Sequence, residues 1–137
     1  MNGKPICWTD GVYNYGNLNK TREEVEADEY QRLRLAAQAG RMVVNPIEDS
    51  SKLSILSVQT EREFIEKVGC KYKRLPVTDH NRPSDAIIDE FVQLINCLPE
   101  DYWIHFHCRA GKGRTTTFLV LLDIIRNAQH VSLEDIL

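Results

Sequence analysis

Residues 102–127 run from an apolar extended stretch through a glycine-rich turn into an apolar helical stretch, and no other feature constrains the chain as tightly. YWIHFHC (102–108) reads as a strand, with Trp103, Ile104 and Phe106 suited to a buried sheet. From Thr115 to about Asn127 the pattern is helical and nearly apolar all round, which predicts a buried helix. The same alternation recurs upstream. Thr21 and Glu24 form a capping box for a helix that runs to Ala39 and stops at Gly40. RMVVNP (41–46) reads as a short strand ended by proline, and residues 50–58 hold a second candidate strand. Thr60 and Glu63 form another capping box, opening a short helix with Phe64, Ile65 and Val68 that stops at Gly69. CKYKRLPV (70–77) reads as a strand and TDHNRP (78–83) as a loop. Ile87, Ile88, Phe91, Val92, Leu94, Ile95 and Leu98 recur at helical spacing up to Pro99. Strands alternating with helices predict an α/β fold with a mostly parallel central sheet.

Length and composition narrow the class further. A chain of 137 residues is expected to form one domain. With 42% hydrophobic and 27% charged residues it has the balance of a globular protein. The longest apolar run, FLVLL at 118–122, is broken by Asp123 and is too short to span a bilayer. Residues 1–20 read as loop, with no charged-then-apolar leader. A net charge of −3 gives no reason to expect nucleic acid. Yet cations cluster locally, as Lys71, Lys73, Arg74 and Arg82, then Arg109, Lys112 and Arg114, which suits a small, highly anionic substrate. The four cysteines, Cys7, Cys70, Cys97 and Cys108, form no CxxC pair and no disulfide framework. Cys70 and Cys97, among apolar neighbours, are expected to be small core residues.

Three readings of Cys108 compete: a nucleophile in a phosphate-binding loop, a metal ligand beside His105 and His107, or a buried thiol. In Cys108-Arg109-Ala110-Gly111-Lys112-Gly113-Arg114, between strand and helix, successive backbone N–H groups can converge on one anion, aided by the positive end of the helix. Gly111 and Gly113 permit the tight turn, and the planar fork of Arg114 is placed to grip two phosphate oxygens. The same surroundings would depress the thiol pKa, and Thr115 can donate a hydrogen bond to the sulfur. An ATP-type loop is excluded, because Gly113 rather than Ser or Thr follows Lys112 and its first glycine would fall at Phe106. The metal reading is disfavoured: on a strand His105 and His107 share one face while Cys108 points away, and no second ligand cluster exists. A buried thiol leaves the glycines and Arg114 unexplained. His107 is expected to orient the loop or tune the thiolate, and His105 to sit in the sheet as a core histidine.

The loop resembles the C-x5-R phosphate loop of the protein tyrosine phosphatase superfamily, and within it that of the protein-tyrosine-phosphatase-like (cysteine) phytases, bacterial enzymes that hydrolyse myo-inositol polyphosphates. NGKPICW near the start, LNKTREEVEADE (18–29), VTDHNRPS (77–84), LPEDYWIHFHCRAGKGRTT (98–116) and VSLEDIL at the end all look like segments of that family. The resemblance implies a tyrosine-phosphatase-like three-layer fold, a phosphocysteine on Cys108, and Asp79 of the Thr78-Asp79-His80 triplet as general acid. Asp79 also suits that role on its own terms: it is a carboxylate in a polar loop, 29 residues before Cys108. The loop departs from many cysteine phytases at Arg109 and Lys112, where they carry an acidic and an aliphatic residue. RAGKGR looks instead like the KAGKGR loop of tensin-type phosphoinositide phosphatases, which implies a multiply phosphorylated inositol ring. On this reading Arg109, Ala110, Gly111, Lys112, Gly113, Thr115, His80 and Arg82 contact substrate, His107 supports the loop, and no metal or organic cofactor is required. The resemblance leans toward secreted or periplasmic bacterial enzymes. Family members extend past both ends of this stretch. Ser132 and Asp135 make a third capping box just before Leu137, so the expectation is a fragment cut where a helix begins.

Overall fold

The computed structural model describes residues 17–43 and 52–136. The expected loop before residue 17, Cys7 within it, and parts of the two candidate strands (44–46 and 50–51) lie outside the described residues. The chain divides into two compact units, Met1–Arg74 and Leu75–Leu137.

Among the described residues of the first unit, local hydrogen bonds define the helix ends. Helix α1 (Arg22–Ala39) starts at the predicted capping box: Thr21 Oγ1 accepts from the Glu24 N–H at 3.2 Å, and the Thr21 N–H donates to Glu24 Oε2 at 2.7 Å. It ends at Gly40, whose φ of 63° is the left-handed cap that glycine adopts without a side-chain penalty. Asp28 on its flank pairs with Lys20 at 3.4 Å and Arg32 at 3.0 Å, and Val25 is its buried residue. Strands β1 (Arg41–Val43) and β2 (Lys52–Ser54) pair antiparallel, Met42 opposite Leu53. Helix α2 (Glu61–Lys67) repeats the capping box with Thr60 and Glu63. The chain then turns through Gly69 at φ 84°. Beyond it the Tyr72 hydroxyl donates to Glu61 Oε2 at 3.2 Å, and Arg74 pairs with Glu29 of α1. Burial and the Glu61 carboxylate push the Tyr72 hydroxyl up to about 12.

The second unit is built around a packed cluster. Helix α3 (Asp85–Asn96), capped by Ser84 Oγ, presents Ile87, Phe91 and Ile95 at four-residue spacing. Helix α4 (Gly113–Asn127) presents Phe118, Leu121, Leu122 and Ile125 along one face. Val77, Phe91, Ile95 and Phe118 are buried together, with Leu75, Leu98, Ile104 and Phe106 packed against them. The Phe91 ring is fully buried, edge-on to Phe118 at 4.9 Å and to Phe106 at 5.9 Å, an arrangement that aromatic quadrupoles favour. A short α5 (Leu133–Ile136) follows, its first turn bonded by the Asp135 N–H to Ser132 Oγ.

Several expectations are corrected here. Among the described residues the expected strands 70–77 and 102–108 form no ladder, and the one sheet is the antiparallel β1–β2 pair. What survives in 102–108 is the two-residue alternation of an extended chain. Tyr102, Ile104, Phe106 and Cys108 are half-buried, whereas Trp103, His105 and His107 are exposed. Alternation encodes which face is buried; it carries no information about which backbone supplies the hydrogen bonds. The three exposed rings stack along one edge, Trp103 on His105 at 5.9 Å and His105 on His107 at 5.7 Å. Trp103 at 81% exposure is thus no core residue, and His105 is no core histidine. Cys70 and Cys97 are exposed as well: Cys70 lies beyond the end of α2, which has no buried residue, and Cys97 is the C-cap of α3 rather than part of its buried face. Helix α4 begins two residues earlier than the pattern suggested and is buried on one face only, with Leu119 47% exposed.

Candidate active site

The half-buried extended run ends at Cys108, and α4 begins five residues later at Gly113, so residues 109–112 form a short loop at the helix N-terminus. Gly111 turns the loop at φ 67°, a left-handed conformation that side chains adopt only at a cost. The loop folds its amides back over the sulfur. Burial raises the pKa of Cys108, but hydrogen bonds from the Thr115 hydroxyl and the N–H groups of Thr115, Ala110 and Gly111 outweigh it. Together they bring the thiol from its ordinary 9.0 down to about 6. Cys108 is therefore mostly thiolate at neutral pH. Thr115 Oγ1 is buried and has no conventional partner, which leaves its hydroxyl to the sulfur.

Arg114, in the first turn of α4, reaches in the other direction. Its Nη1 donates to the Val77 carbonyl at 3.0 Å, and its Nη2 lies 3.1 Å from Asp79 Oδ1. The Nε is buried without a partner. Asp79 follows the buried Val77 by two residues and opens a tight turn closed by the Asn81 N–H to the Thr78 carbonyl. In that turn His80 has φ 59°, and its N–H donates to Asp79 Oδ1 at 3.1 Å; its Nε2 is 3.9 Å from Asp79 Oδ2. Asp79 is thus held from two sides, with only 22% of its side chain exposed.

The remaining candidates sit at the margin. Arg109, Ala110, Gly111, Lys112 and Gly113 are exposed along the loop, so two cationic side chains stand at its solvent edge. Arg82 is turned toward α3, donating to Asp85 Oδ1 at 2.9 Å and the Pro83 carbonyl at 3.2 Å. His107 lies on the face opposite Cys108, against His105. Among the described residues no group of three or more His, Cys, Asp or Glu is gathered to hold a metal ion. None of their helices is long and apolar enough to cross a membrane. The sequence reading missed the Val77 carbonyl as a partner of Arg114, because a backbone acceptor leaves no residue signature. It also missed the direct contact between Asp79 and Arg114, two residues it had assigned separate roles.

Comparison with known proteins aligns with these features. The family model of the protein-tyrosine-phosphatase-like phytases, described as "Inositol hexakisphosphate", matches residues 1–126. A solved structure of the tandemly repeated protein tyrosine phosphatase like phytase from Mitsuokella multacida is 42% identical, with a TM-score of 0.76 over 90% of this chain and 22% of that one. The effector protein hopD2 of Pseudomonas syringae pv. tomato is 38% identical over 89 residues, 64% of this chain and 19% of the effector. A tyrosine-protein phosphatase CDC14 homolog of Schizosaccharomyces pombe is 34% identical over 55 residues, 40% of this chain and 10% of that protein. The chain thus spans about a fifth of the length of the first two of these relatives.

Proposed function

Since the chain belongs to the protein-tyrosine-phosphatase-like phytase family, we propose that it is a cysteine-dependent phosphomonoester hydrolase acting on myo-inositol polyphosphates. The observation that carries the reading is the Cys108 thiol, held at about 6 by the Thr115 hydroxyl and amide in the first turn of α4 and by the loop amides of Ala110 and Gly111. The Cys108 thiolate attacks phosphorus, forming an S–P bond while the bond to the leaving oxygen breaks. Asp79 supplies the proton to that oxygen. Water, deprotonated by Asp79, then attacks the phosphocysteine, releasing inorganic phosphate and the thiolate. The fork of Arg114 and the loop amides hold the equatorial oxygens, and Thr115 stabilises the departing sulfur. Fixed donors and the guanidinium supply the charge stabilisation, so the mechanism calls for no metal or organic cofactor.

Arg109 and Lys112, exposed at the rim, favour a ring bearing several phosphates over one phosphotyrosine. Segments 70–77 and 102–108 would join the mostly parallel central sheet of a three-layer α/β domain, consistent with the alternating burial of 102–108. A second reading, a protein tyrosine or dual-specificity phosphatase, draws on the likeness to the fission-yeast tyrosine-protein phosphatase. Phosphate release from inositol hexakisphosphate, a phosphoinositide and a phosphotyrosine peptide decides between them, with Cys108→Ser as control. Fastest release from the hexakisphosphate, abolished in Cys108→Ser, is expected. Faster turnover of the peptide would establish the second reading, and release that survives the substitution would overturn the cysteine mechanism.

A further inference from the structure

The geometry points to a binding site for one divalent transition-metal ion of the nickel, copper or zinc class, held between the imidazoles of His105 and His107 on the face of the 102–108 run opposite Cys108. The ion is not a cofactor of the proposed reaction, and the inference does not rest on the phosphatase reading.

Packing accounts for Ile104 and Phe106, and the loop chemistry for Cys108, but neither uses the two histidines. Residues two apart on an extended chain lie about 6.6 Å from each other and point the same way. His105 and His107 both face solvent, whereas Ile104, Phe106 and Cys108 at the alternate positions are half-buried. The two ring centroids are 5.7 Å apart with planes 24° from parallel, so the rings lie face to face instead of splaying. Trp103 extends the stack, 5.9 Å from His105 and 16° from parallel, and backs the pair with a third ring. The imidazoles are therefore placed before any ion arrives, which lowers the ordering cost of binding.

Imidazole nitrogen is a preferred ligand of these ions, at about 2.0–2.1 Å for zinc. One ion shared by two rings therefore needs two nitrogens about 3–4 Å apart. The terminal torsion of histidine is broad and soft, so two facing rings can turn their edges onto one ion while the backbone stays extended. Among the described residues no group of three or more His, Cys, Asp or Glu is gathered for a metal, so water fills the remaining positions. The site is thus open and exchangeable, unlike the closed four-ligand site of a structural zinc. The Cys108 thiol, the softest ligand close in sequence, is excluded because its side chain takes the other face. Entry of the run into a sheet would keep that alternation, and the two imidazoles would still share a face.

The test titrates the 137-residue protein with Ni2+, an ion that imidazole binds well and that does not oxidise thiols. Affinity is read by calorimetry, and location by paramagnetic broadening of the backbone amides in 15N NMR. One ion per chain is expected, with broadening strongest at the amides of residues 103–107. His105→Gln and His107→Gln should each weaken binding by about tenfold or more. His130→Gln, at an exposed residue beyond α4, should leave it unchanged, and so should Cys108→Ser. The metal-free amide spectrum of each variant shows whether it is folded. His105→Gln, farther from the loop, keeps the test valid if His107→Gln disturbs it. Loss of binding in Cys108→Ser would make the sulfur a ligand and overturn the inference. Equal affinity in His105→Gln and the unmodified protein, broadening centred on His80 or His130, or no measurable binding would overturn it too. None of these results bears on phosphate release, by which the phosphatase reading is judged separately.

Discussion

The two units hold their elements by opposite means. In Met1–Arg74 the described helices are defined at their ends: two complete capping boxes, a left-handed glycine, and ion pairs strung along exposed flanks, with Val25 as the buried side chain. In Leu75–Leu137 the helices are defined by their faces, with Phe91, Ile95 and Phe118 sealed into one cluster around Val77. The groups assigned to chemistry all belong to the second kind of construction. Asp79 sits two residues beyond buried Val77, Cys108 two beyond Phe106, and Arg114 and Thr115 one turn before buried Phe118. A nucleophile and an acid must hold fixed positions, and side-chain packing fixes position better than helix-end hydrogen bonds, which leave the rest of a helix free to shift.

Breaking the packed unit should therefore cost the most. Phe91→Ala removes the fully buried ring that touches Phe106 and Phe118 edge-on. Such a cavity is expected to destabilise by about 3–5 kcal/mol, read as a lower urea midpoint. Because Phe106 leads to Cys108 and Phe118 follows Thr115, the depressed thiol titration should be lost with it. A Phe91→Ala protein that keeps both its midpoint and a thiol titrating at about 6 would show that the cluster does not position the loop.

A sharper version leaves the packing and removes one hydrogen bond. Thr115→Val keeps the buried shape but deletes the hydroxyl acting on Cys108. Burial, which opposes the thiolate, then meets only the loop amides, so the thiol pKa moves up from about 6 toward its ordinary 9.0. The thiolate is the form present above the pKa, so alkylation by iodoacetamide slows at low pH and is unchanged well above 9. A rise to about 7 would make alkylation roughly fivefold slower at pH 6. An unmoved profile would assign the depression wholly to the amides of Ala110, Gly111 and Thr115.

The same contrast explains what could be read from the sequence. Helix ends were legible because a cap is a local pattern: Thr21 with Glu24 and Thr60 with Glu63 sit where the sequence put them, as does Gly40. The helical face of Ile87, Phe91 and Ile95 was legible for the same reason. The segment from Cys108 to Thr115 was legible as a glycine-permitted turn between an extended run and a helix, and Gly111 does turn it at φ 67°. The parallel sheet was not, since the apolar content of 70–77 and 102–108 specifies burial while a ladder depends on a distant backbone. The exposure of Trp103 and His105 followed from alternation about Ile104 and Phe106, a register that hydrophobicity alone left ambiguous. The pairing of Asp79 with Arg114 joins residues 35 positions apart, where no local pattern operates.

The smallest effect tests the first unit. Thr60 Oγ1 accepts the Glu63 N–H at 3.1 Å, and the Thr60 N–H donates to Glu63 Oε2 at 2.7 Å, so Thr60→Ala removes one arm of the box and loosens the other. Helix α2 is seven residues long with no buried side chain, so it has little besides its caps to hold it. Loss of such a cap is worth about 0.5–1 kcal/mol, and Thr60→Ser should restore most of it because serine offers the same acceptor. Hydrogen exchange at the Glu63 and Phe64 amides should report the loss even if the global urea midpoint barely moves. The change acts on the Thr60–Glu63 box, and the Cys108 alkylation profile is expected to stay where it was. A profile that shifts with Thr60→Ala would mean that the capped unit and the packed unit are coupled, and that the division of labour between them is less complete than their construction suggests.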